Sequence, residues 1–258
     1  MTPIFDGPCD LAVIGAGPAG MAAARVAAEA GARVVLLDEQ PAPGGQIYRA
    51  ITTGGAGRGG VLGSDYLAGA ELARGLDHPD IHHVVGATVW RVDAGREIAF
   101  SMESAAHLLH ARRIVLATGA IERPFPFPGW TLPGVMTAGA AQILLKSAGV
   151  VARDAVLAGS GPLLYLIAHQ MIAAGAPPAA LVETRPEGGL GAAFRHLPGA
   201  LRDDPGFLSQ GCRDRIHAPV KDLLHCLHCH RHQMELGTFS HVESPDTRSR
   251  VLLIINQA

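Results

Sequence analysis

The segment Leu11–Asp38, LAVIGAGPAGMAAARVAAEAGARVVLLD, leaves few folds open to this chain. Leu11, Ala12, Val13 and Ile14 form a short apolar run that suits a buried parallel strand. Gly15-Ala-Gly17-Pro-Ala-Gly20 then turns the chain into a helix. Gly15 permits the tight turn, Gly17 lets backbone approach a pyrophosphate, and Gly20 lets helix and strand pack closely. The helix is rich in alanine (Ala22, Ala23, Ala24, Ala27, Ala28), and Gly31 is placed to cap its end. Arg33 to Leu37 reads as the second strand, with Asp38 at its carboxyl end. A helix N-terminus offers free N–H groups and a positive dipole end to phosphate. A carboxylate at Asp38 offers acceptors to a ribose diol. The spacing predicts a dinucleotide-binding βαβ unit, and it does not separate FAD from NAD.

Bulk properties narrow the class. At 258 residues the chain accommodates one large domain or two ordinary ones. Its formal net charge of −2 gives no reason to expect nucleic acid or an anionic surface as partner. Lys146 and Lys221 are the only lysines. No apolar run approaches the roughly 20 residues of a membrane span. Met1 to Asp10 lacks the basic start of a signal peptide. The four cysteines, one early and three late, make no disulfide framework. A cytosolic soluble protein is expected.

Beyond Asp38, the stretch Glu39-Gln-Pro-Ala-Pro-Gly44-Gly45-Gln46-Ile47 reads as an irregular loop. It leaves the carboxyl edge of the sheet, where open α/β folds bind ligands. Ile51 to Gly63 is glycine-rich and is read as mobile, and Ser64 as the N-cap of a helix running to about Arg74. Ile81 to Val85 reads as a strand. Thr88–Val92, Glu97–Met102 and 106–110 then alternate like a small antiparallel meander. Ile114 to Ala117 is another buried strand, ending in Thr118-Gly119-Ala120. A crossover from Arg123 to Pro133 and a helix from Ala138 to Ser147 lead into a second βαβ. Its strand is Ala155–Ala158, its turn is Gly159-Ser-Gly161-Pro-Leu-Leu164, and Glu183 is its candidate acid. Leu164 stands where the third glycine belongs and would crowd the helix–strand contact.

The order of elements, together with Leu116–Ala148 (LATGAIERPFPFPGWTLPGVMTAGAAQILLKSA), carries a resemblance. Residues 11 to about 210 look like the FAD-dependent pyridine nucleotide-disulfide oxidoreductase superfamily. More narrowly, the chain resembles the FAD-containing subunit of dye-linked amino acid dehydrogenases, opine oxidases and hydrogen cyanide synthase. The resemblance implies an α/β, Rossmann-like flavoprotein with two dinucleotide-binding domains and a small antiparallel β meander, the second domain being incomplete. The expected division is 1–123 for the first part of the FAD domain, 124–211 for the NAD-type domain and 212–258 for an atypical tail. FAD would be held by Gly15, Gly17, Pro18, Ala19, Gly20, Asp38 and Glu39, with Gly45 and Gln46 near the flavin. Val89 would lie near the adenine, and Thr118 and Gly119 would line the groove. Gly159, Gly161 and Glu183 form a second candidate nucleotide site. NAD(P) binding there is disfavoured, because members of this group pass electrons to flavin, dye or quinone partners.

The expected activity is that of a flavin-dependent oxidoreductase, or one component of it, that oxidises an amino acid or opine-like amine and passes the electrons on. A second flavoprotein or a ferredoxin-like protein is the implied partner. An NAD(P)H-dependent flavin reductase and a non-catalytic, partner-binding remnant stay open as alternatives. A disulfide reductase fits poorly, since no Cys-x-x-Cys lies near residues 130 to 150. No catalytic base is nameable: His107, His110 and His169 read as meander or helix residues.

After Cys212 the texture changes. Cys226 and Cys229 are spaced like a metal-ligand pair, with His228 and His232 one helical turn apart. A zinc finger separates its pairs by a loop of about 12 residues, whereas these ligands are crowded together, so no metal site is assigned. A shifted reading frame is the favoured account of the tail. In the two-domain reductases the chain returns to the FAD domain with a Gly-Asp near the flavin, and no Gly-Asp follows the second βαβ here. The sequence is therefore read as truncated after about residue 211, with half of a flavin site.

Overall fold

In a computed structural model of the chain, the described residues are 9–122, 126–159, 162–183 and 252–255. They fall into two units, 1–121 with 143–150, and 122–142 with 151–258.

The first unit begins with the βαβ that the glycines demand. β1 (Leu11–Ile14) pairs in parallel with β2 (Val34–Asp38), and α1 (Pro18–Glu29) connects them. All five residues of β2 are buried, as a strand covered on both faces requires. Pro18 opens α1 at a position where its missing N–H costs nothing. Gly20, Met21, Ala24 and Ala28 are the buried positions of α1, the last three spaced three and four apart, and the helix packs on β1 and β2. The helix ends one residue before the expected cap. Ala30 is the cap; Gly31 follows it, donating to Ala28 O (2.8 Å) while Ala32 donates to Ala27 O (3.0 Å). That pair of bonds closes the helix end as a Schellman turn.

β3 (Ile81–Val85) adds to β2, and β7 (Ile114–Leu116) adds to β1, giving the parallel order β3-β2-β1-β7. The meander consists of β4 (Thr88–Val92), β5 (Glu97–Met102) and β6 (Ala105–His110), all antiparallel. Ala12, Ile14, Val35, Leu37 and Val84 from the parallel sheet meet Ile98, Phe100 and Leu109 from the meander in one core. Full burial of a side chain the size of Phe100 contributes about 2–3 kcal/mol. The register of β4 shifts between Val89 and Arg91. Val89 packs on the core, whereas Trp90 is exposed, with the Arg91 guanidinium 5.9 Å from its ring centre.

Between β2 and β3 the glycine-rich stretch contains short helical turns. A 3-10 turn (Gly55–Arg58) and α2 (Gly59–Leu62) form there, pinned by buried Ile51 and Leu62. The helix expected from Ser64 is broken into α3 (Ser64–Leu67) and α4 (Gly69–Arg74). Gly63, not Ser64, is the cap of α3, and no side chain bonds to that helix start.

The second unit has the sheet order β10-β9-β11-β8, built from β8 (Val135–Thr137), β9 (Val156–Gly159), β10 (Ala180–Glu183) and β11 (Leu252–Ile255). Two of these strands are not foreshadowed by the sequence pattern. β8 lies between the crossover, read as ending at Pro133, and the helix read from Ala138, and β11 lies in the tail, where LLII is a short apolar run. β11 pairs in parallel with both β8 and β9. α5 (Ala138–Ala148) and α6 (Pro162–Ala173) are the helices here, with the boundary between the units falling within α5. Glu122, from the ATGAIERP segment, accepts a bond from Gly139 N (3.0 Å), and Thr137 Oγ1 accepts one from Ala140 N (3.4 Å). Both satisfy open N–H groups of the first turn of α5.

Leu164 does not crowd α6. It is fully buried and packs in the core with Ala155, Leu157, Ile167, Ala168 and Met171. Gly161, the stretch 193–211 and the Cys226/Cys229/His228/His232 cluster lie outside the described residues. Among the described residues no cluster of His, Cys, Asp and Glu could hold a metal, and no helix is long and apolar enough to cross a membrane.

Candidate dinucleotide site

The turn from β1 into α1 is a cradle that side chains would fill. Gly15 has φ +101°, and a Cβ there would strike the Ala117 carbonyl at the end of β7. A Cβ on Gly20 would strike Gly15 O, so helix and strand approach as closely as backbone allows. Gly17 differs. Its Cβ would meet only the Gly45 Cα, at 4.0 Å. Gly17, Pro18 and Ala19 thus present the open N-terminus of α1, a 12-residue helix whose free N–H groups and dipole suit an anionic group.

A second segment closes over this turn. Gly44 N donates to Ala16 O (2.8 Å), and Gly45, at φ +58°, lies beside Gly17. The Gln46 side chain donates to Ala120 O (3.1 Å), tying the loop to the ATGA segment. Thr118 and Gly119, both of them outside the core, stand at that same edge just beyond β7. Gly15, Gly17, Pro18, Ala19, Gly20, Gly45, Gln46, Thr118 and Gly119 are therefore brought together.

Asp38 ends β2 with 6% exposure. Its Oδ1 accepts a bond from Gln40 N (3.2 Å), whereas its Oδ2 is buried with no partner. Burial pushes its pKa above the ordinary carboxylate value, against the pull of the Gln40 N–H and of His83. An orphaned carboxylate oxygen beside a backbone cradle has the chemistry to receive the hydroxyls of a ribose. The residues present fit a dinucleotide. Glu39 is exposed and holds the Gln40 side chain (3.2 Å). Val89 is part of the core under the meander, paired with Phe100.

Three residues not singled out from the sequence as site residues join this region. His83 on β3 has a buried, unpartnered Nε2, and burial lowers its pKa. Arg49 bonds Gln40 Oε1 (2.6 Å) and receives Tyr66 OH on its carbonyl (2.6 Å). Lys146 donates from Nζ to Gln46 O (3.0 Å). Lys146 had a signal, being the one charge in AGAAQILLKSA; the other two had none. Neither His107 nor His110 stands in the cradle. His107 stacks on Phe100 and His110 faces Glu97 (3.2 Å). Of the second candidate site, Gly159 ends β9 in register with Glu183, and Gly161 is outside the described residues.

Residues 9–188 match the pyridine nucleotide-disulphide oxidoreductase family. The chain belongs to this family. Its members are flavin-dependent oxidoreductases, which implies FAD as the cofactor. Relatives include one of the subunits of opine oxidase from Agrobacterium tumefaciens (strain Ach5), 49% identical over 73% of this chain and 39% of that protein. Hydrogen cyanide synthase subunit HcnB of Pseudomonas aeruginosa is 41% identical over 66% of this chain and 38% of its own length. The resemblance drawn from the ATGAIERP segment is borne out. This chain thus spans about two fifths of the length of these relatives. L-proline dehydrogenase from P. horikoshii shares the fold, with a TM-score of 0.55 at 22% identity over 69% of this chain and 35% of that one.

Proposed function

We propose that this chain is the FAD-binding part of an oxidoreductase that takes electrons from an amino acid or opine-like amine and hands them to a partner protein. One observation carries the cofactor assignment: a buried, unpartnered Asp38 oxygen beside the open Gly17 backbone. The Gly17 and Ala19 N–H groups would receive the pyrophosphate, Asp38 the adenosine ribose, and the Gly45–Gln46 loop would lie by the flavin. Bound flavin supplies hydride and electron acceptance; the protein supplies binding and orientation. The amine substrate and the partner protein rest on the relatives, which are named as subunits of an opine oxidase and of a hydrogen cyanide synthase.

NAD(P) at the second βαβ is no part of the proposal. At the position of the third glycine, Leu164 is buried in the core, so α6 lacks the close backbone approach that Gly20 gives α1.

The test is a titration of the purified chain with FAD, followed by its visible spectrum and flavin fluorescence. Saturable flavin binding that Gly17→Val abolishes is the expected result. A chain that takes up no flavin, or a Gly17→Val variant with unchanged uptake, overturns the assignment. Dye reduction by opines or amino acids, in the presence of the partner protein, tests the substrate class.

A further inference from the structure

Lys146 lies in the last turn of α5 and is only 4% exposed. Its Nζ reaches Gln46 O at 3.0 Å, across 100 residues of sequence. Removing an ammonium from water is costly, and Met would fill a comparable space in an otherwise uncharged helix without that cost. The donor therefore has a use, and the Gln46 carbonyl shows where it acts.

The receiving loop is held at three points. Gly44 N donates to Ala16 O, the Gln46 side chain donates to Ala120 O, and the Gln46 carbonyl accepts from Lys146. Between the first and last of these lies Gly45, the residue beside Gly17. The lysine's own backbone is fixed in turn: Arg58 Nη1 donates to Lys146 O at 2.9 Å.

We infer that Lys146 is a positioning residue for the cofactor loop, its ammonium holding the Gln46 carbonyl so that Gly45 stays against Gly17. The clamp rests on these contacts, and only its consequence for FAD rests on the cofactor reading proposed above.

The charge matters to the clamp, because a bond from an ammonium is about twice as strong as one from a neutral donor. Burial, helped by the nearby Arg49 cation, lowers the Lys146 pKa to about 8. Arg49 is a neighbouring cation, Arg58 bonds the Lys146 carbonyl, and Tyr66 bonds the Arg49 carbonyl. A guanidinium stays cationic in proteins, and burial pushes the Tyr66 hydroxyl up, so Lys146 is the group that changes charge. It is cationic below its pKa and neutral well above it.

Two measurements on the whole chain test this, with Lys146→Met and Lys146→Arg as variants. Amide hydrogen exchange without FAD, at about neutral pH, reads residues 44–48 directly. Lys146→Met should speed exchange at Tyr48, whose N–H bonds Gly44 O (2.9 Å), while Lys146→Arg restores protection. FAD affinity, read by flavin fluorescence, should drop roughly 10- to 100-fold in Lys146→Met near pH 7. Near pH 9.5 the gap between wild type and Lys146→Met should shrink to about a few-fold, because the wild-type amine has lost its charge. Unchanged exchange in Lys146→Met overturns the clamp, as does an affinity gap equal at both pH values. Faster exchange in a chain that binds no FAD upholds the clamp and instead overturns the cofactor reading.

Discussion

Gly17 and Gly45 face each other so closely that a Cβ built on Gly45 would lie 2.9 Å from the Gly17 Cα. The two residues come from different loops, and neither loop can shift freely. Gly15 is wedged against the Ala117 carbonyl on one side, and Gly44 is bonded to Ala16 on the other. Gly45 also sits at φ +58°, where a side chain costs about 1–2 kcal/mol. Gly45→Ala therefore loses twice, in backbone strain and in contact with Gly17. Chemical denaturation should show a loss of about 1–3 kcal/mol, and FAD titration a loss of affinity of at least about tenfold. An alanine variant that matches wild type in both would mean that the loop does not close on the turn.

Asp38 should be a liability to the chain without ligand. Its pKa is raised by burial, so the folded chain holds the proton over a pH window in which the unfolded chain has released it. Stability from this group is complete below the ordinary carboxylate pKa and is lost as pH rises through the raised folded value. Asp38→Asn removes the charge and with it that fall. The expected result is a variant as stable as wild type in acid, more stable near neutral pH, and weaker for FAD. Melting temperatures across the acid-to-neutral range, with and without FAD, check both halves. A variant that melts below wild type at neutral pH would show that the carboxylate is satisfied in the free chain.

The first unit was legible because each of its rules is local. The glycines of the β1–α1 turn, the apolar run of β2 and the alternation of the meander each state one element in a few residues, and the elements formed within a residue or two of the expected bounds. The loop partners were not legible. That Gln46 would bond both Ala120 and Lys146 depends on chain segments 74 and 100 residues away. Ser64 misled for a related reason: Ser is a good N-cap, but Gly63 already occupies that place with φ +88°. β11 was not legible because four apolar residues, LLII, do not by periodicity separate a buried strand from a piece of helix.

Glu122 gives a physical role to part of the ATGAIERP signature. Its carboxylate takes the Gly139 N–H at the start of α5, where an anion also meets the positive end of the helix dipole. Glu122→Ala should cost about 1 kcal/mol, and Glu122→Gln less, since the amide oxygen still accepts. Guanidinium unfolding of the three proteins measures this, and the loss should shrink at high salt only for the dipole share. Equal stability of all three would mean that Thr137 alone caps the helix.

Leu164 separates packing from nucleotide recognition in the second βαβ. Its side chain is fully buried among Ala155, Leu157, Ile167, Ala168 and Met171. Leu164→Ala leaves a cavity there, and such truncations cost about 2–5 kcal/mol. Leu164→Gly removes those atoms and the Cβ as well, and adds the helix penalty of glycine, about 1 kcal/mol. The glycine variant restores the letter of a dinucleotide fingerprint, yet it removes core volume that a nucleotide cannot replace. It should unfold more easily than the alanine variant and gain no affinity for NADH, as read by nicotinamide fluorescence. Tighter NADH binding by Leu164→Gly would show instead that one side chain is all that blocks a working second site.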